Sequence, residues 1–120
     1  MEPLQKEFYY RGFKYEQVKR TDNTAIYAQY FVEDDGGLSL LTYEVFHIRK
    51  QKESYNEKTG IHFKAKELPP SDESFGYYAF ACKNLKHAEL RFKELEERFT
   101  NSSDEQVIKA MEEVEEDIIE

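Results

Sequence analysis

The sequence indicates an α+β fold in which an antiparallel sheet of four to five strands carries one helix across it, followed by a C-terminal acidic helix. Short runs of aromatic and β-branched residues fill the first half of the chain, and Gly, Asn and Asp separate them. This pattern is typical of strands joined by turns. Apolar residues then repeat at helical spacing from Leu85 to Phe99, and again from Val107 to Ile118.

The strands are expected wherever turn residues leave an extended run between them. Arg11-Gly12 separates two aromatic-rich runs and predicts a hairpin. In the most regular run, Tyr43, Val45 and His47 should face one way, and Phe46 and Ile48 the other. Residues 53–60 are polar, contain a glycine and are expected to form a mobile loop. The expected strands are residues 7–10, 13–20, 24–32, 42–52, 61–66 and 77–82, of which 61–66 is a short edge strand.

The two helices have recognisable beginnings. Asn84 is a suitable N-cap for the first helix, and Ser103 with Gln106 forms a capping box for the second. The first helix should bury the stripe formed by Leu85, Ala88, Phe92, Leu95 and Phe99. The second carries a stripe formed by Val107, Met111, Val114 and Ile118. Residues 1–99 are thus expected to form the sheet with its helix, and residues 100–120 an acidic helical extension of the same domain.

Charge is concentrated at one end of the chain. Residues 100–120 hold eight acidic residues and one lysine, about −7 of the net −8. Residues 6–20 are slightly basic by comparison. A concentrated anion of this kind attracts basic surfaces and repels nucleic acid. A solvated helix face that only keeps the protein in solution is the simpler interpretation of the same pattern.

The composition is typical of a cytoplasmic protein without a cofactor. Cys82 is the only cysteine, so no intramolecular disulfide is possible, and a lone thiol in an apolar run is expected to be a small buried hydrophobe. No segment has the pattern of a signal peptide or the roughly 18 apolar residues of a membrane span.

The residues that carry chemistry are not arranged as an active site. The histidines lack metal-ligand spacing, and Gly36-Gly37 lacks the strand–glycine–helix context of a phosphate loop. Cys82 and His87 are the one nucleophile–base combination to consider, across a strand-to-helix junction. The sequence therefore predicts a non-enzymatic protein with no metal and no cofactor.

A nucleic-acid interface is the alternative that the body of the chain offers. Tyr43, His47 and Arg49 alternate on one strand, with Lys50 next to them. Aromatic and basic residues interleaved on a sheet can stack single-stranded bases and neutralise phosphates. The pI of about 5.0 argues against this interpretation. Packing of the same aromatics in a core is the other possibility.

Three segments resemble small uncharacterised proteins encoded by tailed phages and prophages. These are F-Y-Y-R-G-F-K-Y-E-Q-V-K-R at residues 8–20, Y-E-V-F-H-I-R-K at 43–50 and P-P-S-D-E-S-F-G-Y-Y-A-F-A-C-K-N-L-K-H-A-E-L-R-F at 69–92. The shared pattern before the last strand comprises Ser71, Glu73, Phe75 and Gly76. The resemblance covers most of residues 7–99 and excludes the acidic extension. It carries no catalytic role.

The resemblance implies an accessory protein of the host-cell cytoplasm that binds and inhibits a host protein. A nucleic-acid-processing defence enzyme with a basic surface is the partner expected, as for an anti-CRISPR protein. The C-terminal helix would approximate nucleic-acid charge through Glu112, Glu113, Glu115 and Glu116, and anchor through Val107, Met111, Val114 and Ile118. The same stripe would also suit a homodimer. A structural or assembly protein of the virion is the third alternative.

Overall fold

The computed structural model describes residues 1–100, and in this range the chain forms nine strands and one α-helix. The strands are β1 (Glu7–Tyr10), β2 (Phe13–Arg20), β3 (Thr24–Val32), β4 (Leu38–His47), β5 (Arg49–Gln51), β6 (Ser54–Asn56), β7 (Ile61–Phe63), β8 (Lys66–Leu68) and β9 (Ala79–Cys82). The helix α1 spans Leu85–Thr100.

Five of the strands form one antiparallel sheet in the order β1-β2-β3-β4-β9, and α1 packs on one face of it. The predicted α+β class, antiparallel sheet and single packed helix are confirmed. The predicted acidic helical extension, expected within residues 100–120, lies outside the described residues apart from Thr100, which is the last residue of α1. In residues 1–100 no helix is long and apolar enough to cross a membrane.

Turn residues determine where the first three strands begin and end. Arg11 and Gly12 both have positive φ, 52° and 84°, which is the geometry of a two-residue hairpin turn. Tyr10 therefore pairs directly with Phe13. The predicted bounds of β1, β2 and β3 are confirmed.

The fourth strand differs from its prediction at both ends. One strand was expected over residues 42–52, but β4 begins at Leu38, and the chain leaves the main sheet after His47. The amide nitrogen of Ile48 donates to the carbonyl oxygen of Asn23 at 2.8 Å, in the turn between β2 and β3. This contact, together with burial of the Ile48 side chain, redirects the chain, so Arg49 enters a separate ladder.

Helix α1 covers one face of the sheet. The side-chain oxygen of Asn84 accepts a hydrogen bond from the amide of His87 at 2.9 Å, which confirms the predicted N-cap. The predicted stripe is buried except at its first position: Leu85 is 41% exposed, because it precedes the part of the helix that lies over the sheet. The core between α1 and the sheet, which we call the helix-side core, consists of Ile26, Val45, Tyr78, Cys82, Ala88, Phe92, Leu95 and Phe99.

The opposite face of the sheet has a second, largely aromatic core. Tyr27 lies at its centre, 1% exposed, with its ring stacked on Phe46 at 5.6 Å between centroids. The Tyr27 hydroxyl donates to the carbonyl oxygen of Gln5 at 2.7 Å, so the N-terminal segment is held against this face. Burial on both faces explains why β3 is apolar from Ala25 to Ala28. The predicted alternation in β4 is confirmed, with Val45 in the helix-side core and Phe46 and Ile48 in this one.

Residues 53–60 do not form the predicted mobile loop. They contain β6 and a turn, and β6 pairs with β7 in an antiparallel hairpin. The predicted strand over residues 61–66 is likewise divided into β7 and β8. The turn is ordered locally: the side-chain oxygen of Asn56 accepts hydrogen bonds from the amides of Lys58 and Thr59, and Gly60 adopts a φ of 73°.

The segment between β8 and β9 contains the Ser71, Glu73, Phe75 and Gly76 pattern. A short 3-10 helix, Asp72–Ser74, lies within it, and the hydroxyl oxygens of Ser71 and Ser74 are 2.9 Å apart. Gly76 has a φ of 96°, and its amide donates to the carbonyl of Ala79. The pattern therefore builds the turn that leads into β9.

Candidate functional site

Residues 49–68 form a two-part hairpin, which we call the arm. Its base is the β5–β8 ladder and its tip is the β6–β7 ladder. All six residues of β6 and β7 are exposed, and these two strands pair only with each other. The arm tip therefore stands outside both cores.

Three large apolar side chains are exposed at the tip. Tyr55 is 62% exposed, Ile61 49% and Phe63 42%. Cross-strand partners share a face, and neighbours along a strand alternate. The pairings Asn56↔Ile61 and Ser54↔Phe63 place Ile61 and Phe63 on one face. Tyr55 lies on the other face, opposite His62. The arm tip thus offers apolar contact on both of its faces.

The arm, like residues 6–20, is a basic segment of a molecule that is acidic overall. It holds six basic and three acidic residues, a net charge of +3, whereas the remainder of residues 1–99 carries −4. The basic residues are Arg49, Lys50, Lys52, Lys58, Lys64 and Lys66. One acidic residue, Glu53, is paired with the ring of His62 at 2.8 Å. An open concavity at the tip is lined by Ser54, Tyr55, Asn56, Glu57, Lys58 and Phe63.

The base of the arm is fixed to the body by directed polar contacts. The Arg20 guanidinium forms two hydrogen bonds with the Glu67 carboxylate, at 2.5 and 2.7 Å. The Arg49 guanidinium donates twice to the carbonyl oxygen of Pro69, at 2.9 and 2.6 Å. Backbone hydrogen bonds join Glu2 to Ala65 and Glu67. These contacts hold the base of the arm in one orientation relative to the sheet.

The predicted nucleic-acid face is divided between two environments. Tyr43 and His47 lie on the side of the sheet that α1 covers, and Tyr43 packs against the helix-side core. The His47 ring stacks on Phe99 with 3.8 Å between ring centroids. Arg49 and Lys50 belong instead to the arm. The four residues do not form one open stacking surface, because the helix occupies the space above the first two.

His47 also has an altered acidity. Burial lowers its pKa to about 4, and the nearby positive charge of Lys50 adds to the effect. A hydrogen bond to the backbone of Asn23 acts in the opposite direction. Its Nδ1 has no hydrogen-bond partner among residues 1–100. His47 is therefore a neutral, half-buried ring at physiological pH, suited to packing and unsuited to phosphate binding.

The predicted partner-binding residues of the acidic extension lie outside the described residues. They are Val107, Met111, Glu112, Glu113, Val114, Glu115, Glu116 and Ile118.

Cys82 is a buried thiol in the helix-side core, as predicted. Burial raises its pKa, so the thiol stays protonated at neutral pH and is a poor nucleophile. His87 lies exposed in the first turn of α1. Because the Cys82 thiol is protonated, Cys82 and His87 do not provide a thiolate nucleophile with a base.

Sequence reasoning missed the arm tip, where Tyr55, Ile61 and Phe63 are exposed. The available signal was an Asn–x–x–x–Gly turn, Asn56 to Gly60, followed by a short β-prone run. Within residues 1–100, no group of three or more His, Cys, Asp or Glu side chains is placed to hold a metal ion. Comparison with protein-family models, curated proteins and solved structures gives no match to this chain.

Proposed function

We propose that this chain is a non-enzymatic binding protein of the phage accessory type, which binds and inhibits a host protein. The observation that supports it best is the arm tip, where Tyr55, Ile61 and Phe63 are exposed on a hairpin outside both cores. Tyrosine and phenylalanine are efficient interface anchors because few rotamers are lost when they bind.

The distribution of charge supports contact with a partner of mixed polarity. The arm carries +3, while residues 100–120 carry about −7. A nucleic-acid-processing enzyme offers a basic groove that the acidic extension suits, and acidic residues beside such a groove would suit the arm. Opposite charges at two separate contacts speed association and fix orientation.

Affinity capture from nuclease-treated bacterial lysate, followed by titration of the captured enzyme, tests this proposal. We expect one stoichiometric protein partner whose activity falls to a plateau at one equivalent of the chain. Replacing Tyr55 and Phe63 together by serine should weaken capture by about tenfold or more, since interface aromatics contribute most of the binding energy.

The matched control is Leu90→Ser, which removes another exposed apolar side chain from the outer face of α1. It should bind as the unmodified chain does. Unchanged capture by the double serine variant would show that the arm is not part of the interface. Unchanged capture after truncation at Phe99 would show that the acidic extension is not part of the interface. Recovery of no protein partner would refute the proposal.

Single-stranded nucleic-acid binding is a second candidate function, favoured by the basic charge of the arm. Arg49, Lys50, Lys52, Lys64 and Lys66 accompany the exposed rings of Tyr55 and Phe63. Stacking on aromatic rings together with phosphate neutralisation is how such strands are bound without sequence preference. The binding surface would then be the arm rather than the sheet face at Tyr43 and His47.

Fluorescence anisotropy with labelled single-stranded DNA and RNA tests this alternative. Affinity should fall steeply between about 50 and about 200 mM salt. Lys52→Gln combined with Lys64→Gln should weaken binding and flatten the salt dependence. The control pair, Lys83→Gln with Lys93→Gln, makes the same charge change outside the arm. Absence of binding at low salt would exclude this candidate.

A further inference from the structure

The main sheet has an unpaired edge on part of its longest strand. β4 spans ten residues, but β9 pairs only with Tyr43 through Phe46. Residues 38–40 and Thr42 pair with β3 on one side, with Leu41 as the extra residue of a β-bulge, and in the described part of the chain no strand pairs with the other side of residues 38–42. Backbone donors and acceptors at such an edge are available to another strand.

This edge is also apolar. Leu38, Leu40 and Leu41 are 42%, 47% and 47% exposed, and Phe31 on the adjacent strand is 44% exposed. Phe31 pairs with Ser39, so it lies at the same end of the β3–β4 hairpin as the leucines but on the face of the sheet opposite Leu38 and Leu40. The segment L-S-L-L-T contains no charge and no proline, so the β-bulge at Leu41 is the one protective feature within it.

The edge is complementary to a second copy of itself. Two antiparallel copies centred on Leu40 place Leu38 opposite Thr42, and because the segment has no charged residue, no like charges face each other across the pair. The acidic turn that precedes Leu38, with Glu33, Asp34 and Asp35, then falls beside the start of α1 in the other copy. Lys83 and Lys86 are exposed there, at the positive end of the helix dipole. Both copies make this contact, since a two-fold interface is reciprocal.

We propose that the chain forms a two-fold homodimer by antiparallel pairing of residues 38–42, which joins two five-stranded sheets into one continuous sheet. The interface lies at the end of the sheet away from the His47–Phe99 stack. This dimer is independent of the proposed inhibitory function and of residues 107–118.

Sedimentation equilibrium of the full chain, from about 1 µM to about 1 mM, covers the association range of small interfaces. We expect a concentration-dependent mass that reaches twice the chain mass. Leu40→Lys places two ammonium groups beside the two-fold axis and should raise the dissociation constant by about tenfold or more. Leu90→Lys, an equivalent change on α1, should leave it unaltered.

Two further variants locate the interface. Asp34→Lys should weaken the dimer, whereas Asp22→Lys, at the other end of the sheet, should not. Leu40→Cys should form a disulfide-linked dimer under mild oxidation, because cross-strand Cβ atoms lie about 5 Å apart. Tyr55→Cys is the control that should remain unlinked. Circular dichroism establishes that each variant is folded.

Three results would overturn the proposal. They are a monomer over the whole concentration range, a dimer unaffected by Leu40→Lys, and a Leu40→Cys chain that links no faster than Tyr55→Cys. A dimer that survives Leu40→Lys would place the interface elsewhere, for example at residues 107–118.

Discussion

Arg20 and Glu67 form a two-pronged ion pair between residues that are 47 positions apart in the chain. The same carboxylate accepts a third hydrogen bond from the backbone amide of Leu4 at 3.0 Å. The side chain of Glu67 is only 9% exposed. One carboxylate thus joins the end of β2, the N-terminal segment and the base of the arm.

Glu67→Gln should destabilise the protein by about 2 kcal/mol, because it removes a charge-assisted pair and leaves Arg20 partly desolvated. Urea unfolding monitored by circular dichroism measures the change. Glu53→Gln, which affects only the exposed pair with His62, is the control and should cost less than about 0.5 kcal/mol. Equal losses from the two variants would contradict the role of Glu67.

The Glu67 pair should also make stability depend on pH. Hydrogen bonding from Arg20 is the main cause that lowers the pKa of Glu67 below its ordinary value of 4.5. Its contribution is therefore present above pH 4.5 and is lost as the pH falls further towards the folded-state pKa. The difference in unfolding free energy between the unmodified chain and Glu67→Gln should shrink below pH 4.5. A constant difference down to pH 3 would refute this prediction.

His47→Phe should change the acid sensitivity of the fold. The pKa of His47 is about 4 in the folded state against 6.5 ordinarily, so the unfolded chain takes up the proton first. Stability is complete above pH 6.5 and falls as the pH decreases towards 4. Lys50 and Arg98 strengthen the effect, and Glu96 weakens it.

The stability of His47→Phe relative to the unmodified chain should therefore rise by about 1–2 kcal/mol between pH 7 and pH 5, with allowance for partial exposure of the ring. Chemical denaturation at the two pH values measures it. A relative stability that is flat with pH would show that His47 titrates normally.

Leu95→Ala and Leu90→Ala form a matched pair on α1. Leu95 is fully buried and Leu90 is 54% exposed. The first substitution opens a cavity under the helix and should cost about 3 kcal/mol, and the second should cost less than about 0.5 kcal/mol. Thermal and urea unfolding both measure this difference. Similar costs would mean that α1 does not pack on the sheet through this face.

Gly60→Ala should loosen the arm tip without unfolding the body. The φ of 73° at Gly60 is unfavourable for any residue with a Cβ atom, at a cost of about 1 kcal/mol. Because β6 and β7 pair only with each other, we expect faster amide exchange confined to residues 54–63. Lys58→Ala is the control. Faster exchange throughout the sheet would contradict an independent arm tip.

The sequence was most informative where structure depends on neighbouring residues. The Arg11-Gly12 turn and the Asn84 cap are satisfied within a few residues, so both could be predicted together with the elements they bound. The apolar period of α1 identified Phe92 and Leu95 as core residues for the same reason.

Prediction failed where a distant contact decides the outcome. The end of β4 depends on the hydrogen bond from Ile48 to Asn23, 25 positions earlier in the chain. The exposure of Tyr43 and His47 depends on where α1 lies, which the strand pattern does not contain. The arm was missed because its tip has no buried face, so β6 and β7 lack the hydrophobic alternation by which strands are recognised.

The separation of the arm tip from both cores has a consequence for how this protein can change over generations. Neither core includes a residue from positions 54–63, so new side chains there alter what the surface presents without weakening the scaffold. Under the proposed function, mutations at the tip that alter recognition need no compensating mutation elsewhere. A lineage under pressure to follow a changing target should therefore accumulate its differences at the tip, while the residues around Tyr27 and Leu95 stay as they are.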